Sequence, residues 1–410
     1  MPTGDLELAN GVMRIVGGKL TKQYEEEALL HNRMHKGKGT KISDRGYEIP
    51  AHLEGNYNHT FVSDGGDLPA GGSNRIIRAT VFFRNYVHAV RLTGAAMDAV
   101  SSMDVAYIKD WLQFNLDESY NAAHKMLNRY GWGTANGRLA TISAGANSLT
   151  QTVNNDDANR YIESGMRVDI ISTDGVTVRG TQVIDNAKAS ATTFTLLTTA
   201  INSTTGDFVV AAGGFNRAVA GMQLINDDTT NGPVTFQGIS RNTYTSYRNA
   251  LRIATGTGLD VVHMRRALGA GVHIKAGKLD RGALEIWSHP AQQSAYEAMG
   301  WSLKRYEGKS KSLDLGFTSR EYEGIPWVID VDCPKNQIHF LDWSTMMKFT
   351  AKELGFDDKS GSILRQVPSS TSGIAYTDQY EAYLTGRFNY GCARPNKNAL
   401  IDTLSLPIGF

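Results

Sequence analysis

One uninterrupted apolar stripe constrains this 410-residue chain more than any other feature. Apolar residues recur at every third or fourth position, the period of one helix face. They are Val105, Ile108, Leu112, Leu116, Tyr120, Ala123, Leu127 and Tyr130. Ser101 and Asp104 suit the start of such a helix, and Gly131 suits its end. The spacing predicts a helix over 102–130, about 42 Å long at ~1.5 Å per residue. That is roughly two to three times the usual length, so we expect the helix to serve more than an ordinary core.

Composition and charge exclude several classes of protein. Hydrophobic residues make up 41% of the chain and charged residues 20%, which is typical of a folded globular protein. The formal net charge of +1 disfavours a dedicated nucleic-acid-binding protein, because such proteins carry a basic excess. Apolar runs fall short of the ~18–20 residues that span a bilayer, and the first residues do not resemble a signal peptide. Cys333 and Cys392 are too few for a disulfide framework. We expect a soluble protein of a reducing cytoplasm, without a membrane partner.

The first 45 residues have the character of an arm. A helical segment over 22–34 carries three consecutive glutamates and leads into a basic stretch, 31–41. The basic residues of this stretch are Arg33, Lys36, Lys38 and Lys41. They suit contact with nucleic acid or with an acidic partner, whereas a solvated, flexible arm explains the same residues without any partner.

A long segment without helical period follows, over 46–74. Structureless loops of more than about 12–15 residues are uncommon inside a compact domain and are often functional. The pairs Gly65–Gly66 and Gly71–Gly72 lie near its end. This pattern favours a long hairpin that leaves the body of the protein and packs on something else. The alternating residues 75–92 that follow predict strand.

The middle of the chain changes in composition. Residues 151–232 are rich in Thr, Asn, Asp and Gly, with short strand-like segments separated by turns such as Asp174–Gly175. The segments predicted as strands are 167–171, 176–181, 193–198 and 208–211. This pattern predicts a small all-β module inserted between mixed segments. Beyond Phe236 we predict helices over 259–268 and 290–299, and strands over 283–287, 326–331, 337–341 and 379–390.

Motifs for catalysis and cofactor binding are missing from the sequence. There is no phosphate-binding loop, and Gly256-Thr257-Gly258 lacks the third glycine of a dinucleotide fingerprint, since Val261 occupies that position. His31 and His35 have the i,i+4 spacing of a metal-binding pair, but without a third ligand nearby we interpret them as surface histidines. We predict no enzyme activity, no cofactor and no metal.

Other residues with chemical potential have simpler interpretations. Cys333 and Cys392 are more typical of small buried hydrophobes than of nucleophiles. Asp330 and Asp332 alternate along a strand-like segment, where an exposed strand face explains them better than a carboxylate pair. Trp111, Phe114 and Tyr120 on the long helix suit core or subunit contacts better than stacking on bases or sugars.

Four stretches, in this order along the chain, resemble passages of tailed-bacteriophage major capsid proteins. The first is Arg129-Tyr130-Gly131 with Gly137-Arg138-Leu139-Ala140-Thr141-Ile142, which resembles the end of the family's spine helix. The second is Phe236-Gln237-Gly238-Ile239-Ser240-Arg241-Asn242-Thr243-Tyr244, followed by Tyr247-Arg248. The third is Gly324-Ile325-Pro326 leading to Asp330, and the fourth runs from Tyr383 to Asn396. Each motif is weak alone, whereas the ordered set covers about two thirds of the chain.

The resemblance implies an α+β architecture of the Hong Kong 97 type. This fold has an N-terminal arm, an extended loop hairpin, a peripheral domain with a spine helix, and an axial domain. Applied to this chain, it implies an arm over 1–45, an extended loop over 46–80, a peripheral domain over 81–150 with its spine helix over 102–130, an inserted β domain over 151–232, and an axial domain with the remaining peripheral strands over 233–410.

The resemblance also implies where other molecules would be bound. The extended loop would contact neighbouring subunits through Tyr47, Ile49, Leu53, Tyr57, Phe61, Leu68, Arg75 and Arg78. An inner surface would contact packaged DNA without sequence specificity through Arg33, Lys36, Lys38 and Lys41. Some family members form a covalent cross-link through a lysine of the extended loop; here no lysine lies between Lys41 and Lys109, so we do not expect that chemistry.

The function implied is that of a major capsid protein. Such a chain assembles as hexamers and pentamers into an icosahedral shell around double-stranded DNA, in the host bacterial cytoplasm, and remains in the virion. Its implied partners are further copies of itself, a portal protein and a decoration protein. A separate scaffolding protein is expected because the chain reaches its arm almost at once. Two alternatives stay open: an encapsulin-type compartment with the same fold, and a carbohydrate-binding or hydrolytic protein that uses the β module.

Overall fold

A computed structural model describes most of the chain. The described residues are 29–37, 39–43, 45–94, 105–154, 160–230, 232–269, 274–275, 278–279, 283–304, 321–357, 365–368 and 376–407. They divide into two compact units. One contains Arg84–Asn128 and Thr350–Phe388, and the other contains Leu29–Phe83, Arg129–Phe349 and Asn389–Phe410. The first 28 residues of the predicted arm, Lys38 and the predicted helix start at 101–104 lie outside the described residues.

The described elements mix helices and strands, as the α+β prediction requires. The helices are α1 (Leu29–Arg33), α2 (Val105–Gly131), α3 (Met222–Ile225), α4 (Val261–Leu268) and α5 (Pro290–Lys304). The strands are β1 (His35–Lys36), β2 (Thr40–Ser43), β3 (Gly46–Glu54), β4 (Arg75–Phe82), β5 (Arg84–Thr93), β6 (Arg138–Ala144), β7 (Asn147–Ser148), β8 (Thr150–Val153), β9 (Arg167–Ile171), β10 (Val178–Asn186), β11 (Thr193–Leu196), β12 (Ile201–Asn202), β13 (Phe208–Ala211), β14 (Thr235–Phe236), β15 (Ile239–Ser240), β16 (Leu251–Ala254), β17 (Ile274–Lys275), β18 (Lys278–Leu279), β19 (Leu284–Ser288), β20 (Glu321–Tyr322), β21 (Ile325–Ile329), β22 (Ile338–Asp342), β23 (Met346–Phe356), β24 (Arg365–Pro368), β25 (Tyr376–Cys392) and β26 (Ala399–Asp402).

The long helix and a long strand dominate the smaller unit. Helix α2 has 27 residues, which confirms the length that its apolar stripe predicts. Strand β25 has 17 residues, and its first part pairs antiparallel with β5, from Gln379 opposite Thr93 to Phe388 opposite Arg84. Within this unit the Tyr86 hydroxyl donates a hydrogen bond to the Ala123 carbonyl of the helix, over 3.4 Å.

A six-stranded sheet forms the main core of the larger unit. Its order is β16-β26-β22-β19-β21-β20, with β16 parallel to β26 and β19 parallel to β21. Every residue of β19, β22 and β26 is buried, as expected for central strands covered on both faces. Helix α4 packs against this core through Met264, Ala267 and Leu268. Its N-cap is Asp260, whose carboxylate accepts a hydrogen bond from the Val262 amide, over 3.3 Å.

A closed barrel lies in the middle of the sequence, with strand order β10-β11-β8-β6-β13-β9. The strands predicted at 167–171 and 208–211 have those bounds in the structure. Closure removes the unpaired edges that an open sheet of short strands would expose. The expected boundary at residue 151 nevertheless runs through this barrel, because β6 belongs to it. The expected domain boundary at residue 232 separates Arg241 from two buried partners, the carboxylate of Asp227 and the Leu224 carbonyl in α3.

Two interpretations of acidic and basic residues are wrong. Asp330 is 3% exposed and accepts a hydrogen bond from the Trp132 indole N–H over 2.8 Å, so it is a buried acceptor and not part of an exposed strand face. His31 is 4% exposed, with its Nδ1 2.7 Å from the Tyr390 hydroxyl, so it is not a surface histidine. Cys333 and Cys392 are buried, as predicted.

Candidate assembly surfaces

The hairpin of β3 and β4 has two chemically different faces. Ile49 lies opposite Ala79 and Ala51 opposite Ile77, and every second residue of β3 from Ile49 to Leu53 is buried. This alternation follows from the two-residue period of a strand. Ile49 and Leu53, each 5% exposed, therefore face the core of their own chain. Their burial leaves little side-chain surface for the predicted contact with another subunit.

Tyr47 also packs within its own chain. Its ring lies edge-on to Phe83, with centroids 5.7 Å apart, and tilted against Phe349 at 5.2 Å. Such pairs stabilise a fold by about 0.5–1.5 kcal/mol beyond the area that they bury. Tyr47 is half-buried, and part of its ring is used in contacts within its own chain.

Beyond the paired strands, two loop legs continue from the hairpin. Asparagine side chains bridge these legs in place of a strand ladder. The backbone N–H of Asn56 donates to Asn74 Oδ1 over 2.7 Å, and Asn56 Nδ2 donates to the Gly72 carbonyl over 3.0 Å. Asn58 Nδ2 donates to the Ala70 carbonyl over 3.1 Å. The segment 55–74 can therefore extend as a defined projection, up to about 30 Å long at ~3.3 Å per residue for each leg.

Three large apolar side chains of this projection are exposed to solvent. Tyr57 is 81% exposed, Phe61 102% and Leu68 82%. A turn between them is closed by a hydrogen bond from the Gly66 amide to the Ser63 carbonyl, over 2.9 Å, with Gly65 at φ +78°. A positive φ favours glycine here, because it has no Cβ to clash. Burying one such large side chain stabilises a complex by roughly 1.5–3 kcal/mol, so these three residues form the strongest candidate contact surface on the hairpin.

The two arginines predicted on this surface lie on the base of the hairpin. Arg78 is exposed, and its guanidinium lies 3.3 Å from the Glu48 carboxylate. Arg75 lies over the Tyr244 ring, 4.9 Å from its centroid, and 4.0 Å from Glu54. Exposed ion pairs of this kind contribute at most about 1 kcal/mol. Both arginines are therefore held within the chain by weak interactions.

The basic stretch near the N-terminus is divided by the fold. Lys36 and Lys41 are exposed, on β1 and β2 respectively. Arg33 instead forms an ion pair with Glu285, which neutralises part of its charge. The surface offered by this stretch is therefore less basic than its sequence suggests, since one of its cations already has a carboxylate partner.

A cleft of about 460 Å³ opens where the end of α2, strand β6 and the turn 334–336 meet. Four cationic residues line it: Arg129, Arg138, Arg160 and Lys335. None of the described residues lining this cleft is acidic. Its remaining wall includes Tyr130, Pro334, Leu404 and Leu406, which are largely apolar. The wall also contains Ala135 at φ +70°, a conformation that costs a non-glycine residue roughly 1–2 kcal/mol.

The cations of this cleft differ in how they are held. Arg129 is buried, 2.9 Å from the Glu163 carboxylate and 3.5 Å from that of Asp332. Arg160 donates to the carbonyls of Val331 and Cys333, over 2.9 and 2.6 Å. Arg138 is exposed and lies over the Phe208 ring, 5.6 Å from its centroid. The cleft is thus built from a fixed inner pair of arginines and a more accessible outer arginine.

Comparisons with known proteins were made by sequence and by structure. No family model matches the chain, and no curated protein matches it. The capsid asymmetric unit of cyanophage A-1(L) is similar in structure, with a TM-score of 0.56 and 14% identity, over 94% of this chain and 95% of that chain. The chain has the fold of a bacteriophage capsid protein.

Further solved structures are similar at lower scores. The capsid of an empty GTA particle has a TM-score of 0.44 and 12% identity, over 97% of this chain and 98% of that chain. The structure of Microbacterium phage Oxtober96 has a TM-score of 0.45 and 9% identity, over 94% of each chain. The assignment of the capsid fold depends on the cyanophage structure alone.

Within this capsid fold the described residues offer little chemistry of catalysis. Burial raises the pKa of the Cys392 thiol to about 11 and raises that of Cys333 well above its usual value. Both thiols therefore stay protonated and unreactive at neutral pH. In the part of the chain that the structure describes, no group of three or more His, Cys, Asp or Glu residues could hold a metal ion. None of the described helices is long and apolar enough to cross a membrane.

Sequence reasoning about the capsid fold missed the cationic cleft. Arg129, Arg138 and Arg160 are scattered along the chain, and only the fold brings them to one wall. The hairpin, in contrast, can be recognised from its sequence pattern. Alternating apolar residues Ile49, Ala51 and Leu53 mark a half-buried strand, and the alternation stops at Gly55.

Proposed function

We propose that this chain is the major capsid protein of a tailed double-stranded DNA bacteriophage. It self-assembles as hexamers and pentamers into an icosahedral shell that encloses the genome. Assembly takes place in the host bacterial cytoplasm, and the protein remains in the virion. The capsid fold supports this proposal, and the observation that carries it is the projecting segment 55–74. This segment exposes Tyr57, Phe61 and Leu68, and apolar side chains exposed together mark a contact surface.

The mechanism is repeated burial of the loop tip on a neighbouring copy. Each buried apolar side chain contributes a modest free energy, and a closed lattice multiplies that contribution over every subunit. The near-zero net charge is compatible with such packing, because a strong like charge would repel copies placed edge to edge. A separate scaffolding protein, a portal protein and a decoration protein are the further partners of this proposal.

The proposal also includes non-specific contact with packaged DNA. Lys36 and Lys41 are its candidate contacts, since both are exposed. Arg33 contributes less because of its ion pair with Glu285. Replacing both lysines by glutamine should weaken DNA binding by the purified protein. The number of ions released on binding, measured from the dependence of affinity on salt concentration, should fall by about one to two. An unchanged salt dependence would remove this surface from the proposal.

Electron microscopy of the purified protein tests the shell directly. The wild-type chain should form closed shells, and deletion of 56–72 should leave a folded subunit whose shell yield falls by at least about tenfold, the loss expected when ~1.4 kcal/mol or more of contact energy disappears. Small oligomers of the wild-type chain under all assembly conditions would overturn the proposal.

A matched pair of variants separates the loop from general hydrophobicity. Phe61→Ser with Leu68→Ser should reduce the shell yield in the same direction as the deletion. The control replaces Val176 and Leu197 by serine, two apolar residues of the barrel that are 80% and 53% exposed. Equal losses from both pairs would show that the loop tip has no special role in assembly.

A further inference from the structure

The loop tip is acidic as well as apolar. Asp64 and Asp67 flank the turn at Gly65–Gly66, and both are exposed. Segment 55–74 contains no lysine or arginine. The described hydrogen bonds of the loop lie within the loop itself, and they involve neither aspartate. A partner surface for this tip must therefore combine cationic groups with apolar ones.

The cleft beside the end of α2 has this combination. Arg138 and Lys335 supply positive charge at its wall, and Leu404, Leu406 and Pro334 supply apolar surface. Leu406 is 41% exposed, so apolar area is available at the cleft. The volume of about 460 Å³ falls within the ~300–1,000 Å³ typical of sites that enclose a small ligand, so the end of a loop fits there.

Of the two inner arginines, Arg129 is paired with carboxylates, whereas Arg160 is held by carbonyls. Arg160 is fixed by the carbonyls of Val331 and Cys333 and stacks on the Tyr161 ring, 4.7 Å from its centroid. Its Nε is buried without a hydrogen-bond partner among the described residues. Carbonyl partners hold a guanidinium without cancelling its charge.

We infer that the cleft is the receptor for the loop tip of a second copy of this chain. Asp64 and Asp67 of one copy lie against the cationic wall of the other, and Leu68 packs on its apolar rim. This inference rests on the proposed self-assembly and names the surface that receives the loop. Charge complementarity fixes the register of the contact, and apolar burial supplies its affinity.

Charge exchange between the two surfaces tests the pairing. Asp64→Lys with Asp67→Lys, or Arg138→Glu with Lys335→Glu, should each lower the yield of assembled particles by at least about tenfold, because like charges then meet at the contact. Combining all four substitutions should recover most of the yield. Asp185→Lys and Lys188→Glu on the barrel are the matched controls and should have little effect. Thermal unfolding of each variant identifies any that fails to fold.

A cross-link distinguishes contact between copies from contact within one copy. A protein with Asp67→Cys is mixed with a second protein with Asn336→Cys, since Asn336 lines the cleft. Under oxidising conditions the mixture should form disulfide-linked dimers containing one copy of each. Asp67→Cys alone should form far fewer dimers, and the buried Cys333 and Cys392 should not contribute.

The two readouts separate failure of this inference from failure of the proposed function. Shells without the mixed cross-link, or without recovery in the fourfold variant, would overturn the receptor and leave the capsid function intact. Mixed dimers from a protein that never forms shells would overturn the capsid function and retain the contact. A protein with neither shells nor cross-links would overturn both.

Discussion

The barrel and the segment 55–74 are built from similar residues, and they differ in where they place their apolar side chains. Both contain glycine and asparagine beside apolar residues. In the barrel, Val168, Phe194 and Val209 are each 0% exposed, and every strand has a partner on both sides. In the loop, Phe61 is 102% exposed, and side-chain hydrogen bonds replace the strand ladder. The barrel is complete within one chain, whereas the loop lacks a partner for its tip.

The largest predicted effect contrasts one phenylalanine from each region. Phe194→Ala removes a ring from the closed barrel and should lower the free energy of unfolding by about 3–5 kcal/mol, the usual cost of a large cavity. Phe61→Ala deletes a phenylalanine ring that is exposed to solvent, and it should change the free energy of unfolding by no more than ~0.5 kcal/mol. Urea unfolding of both variants measures the difference between their free energies of unfolding.

Among variants that remain folded, Phe61→Ala should reduce shell assembly more than Phe194→Ala does. Phe61→Ala should lower the shell yield at temperatures where the subunit is fully native. A large loss of stability from Phe61→Ala would contradict the comparison, since it would show that the loop packs on its own chain in solution. A negligible loss from Phe194→Ala would show that the barrel is not a rigid unit.

The sequence predicts local features of this fold and misses the distant ones. The 27-residue helix and the strands at 167–171 and 208–211 depend on periodicity and on turn residues close in sequence, so they could be predicted. The buried state of His31 depends on Tyr390, which is 359 residues away. The buried state of Asp330 depends on Trp132, 198 residues away. One sequence contains no signal for such pairs, since only the folded chain brings them together.

The candidate surfaces follow the same division. The exposure of Tyr57, Phe61 and Leu68 could be predicted because these residues lie in one segment without helical or strand periodicity. The cleft could not, because its walls come from the end of α2, from the barrel and from the turn before β22. The burial of Ile49 and Leu53 follows from the alternation along β3, which the sequence shows, whereas the point at which the paired strands end and the projection begins is set by the fold.

A smaller effect concerns a carboxylate inside the barrel unit. Asp207 is 0% exposed, which by itself would raise its pKa, but hydrogen bonds from the Thr204 amide and from Arg179 outweigh burial and lower the pKa. The Arg179 Nε lies 2.5 Å from its carboxylate. The lowered pKa stabilises the folded protein at pH values above the unfolded pKa of about 3.9. This contribution is lost as the pH falls below that value and through the folded pKa.

Asp207→Asn should therefore lower the free energy of unfolding by about 1.5–3 kcal/mol at pH 7, the usual value of a hydrogen bond to a charged group. The difference from the wild-type protein should narrow in acid, as the wild-type carboxylate becomes protonated. Phe61→Ala is the control and should follow the wild-type pH profile. A gap between wild type and Asp207→Asn that stays constant down to acid pH would show that the charge of Asp207 has no part in barrel stability.

The smallest predicted effect concerns the asparagines that bridge the loop legs. Asn58→Ala removes the 3.1 Å hydrogen bond to the Ala70 carbonyl, and Asn56→Ala removes the one to Gly72. Each exposed hydrogen bond contributes at most about 0.5–1.5 kcal/mol, and these bonds order the loop without supporting the core.

The double variant Asn56→Ala with Asn58→Ala should unfold like the wild-type protein. It should be cleaved faster by protease within 55–74 and should assemble a few-fold more slowly. Ser73→Ala lies in the opposite leg, without a described side-chain hydrogen bond, and serves as the control. Equal cleavage rates in the double variant and the control would mean that the asparagine bridges do not order the tip, and the projection would then gain its shape only on contact with a neighbouring copy.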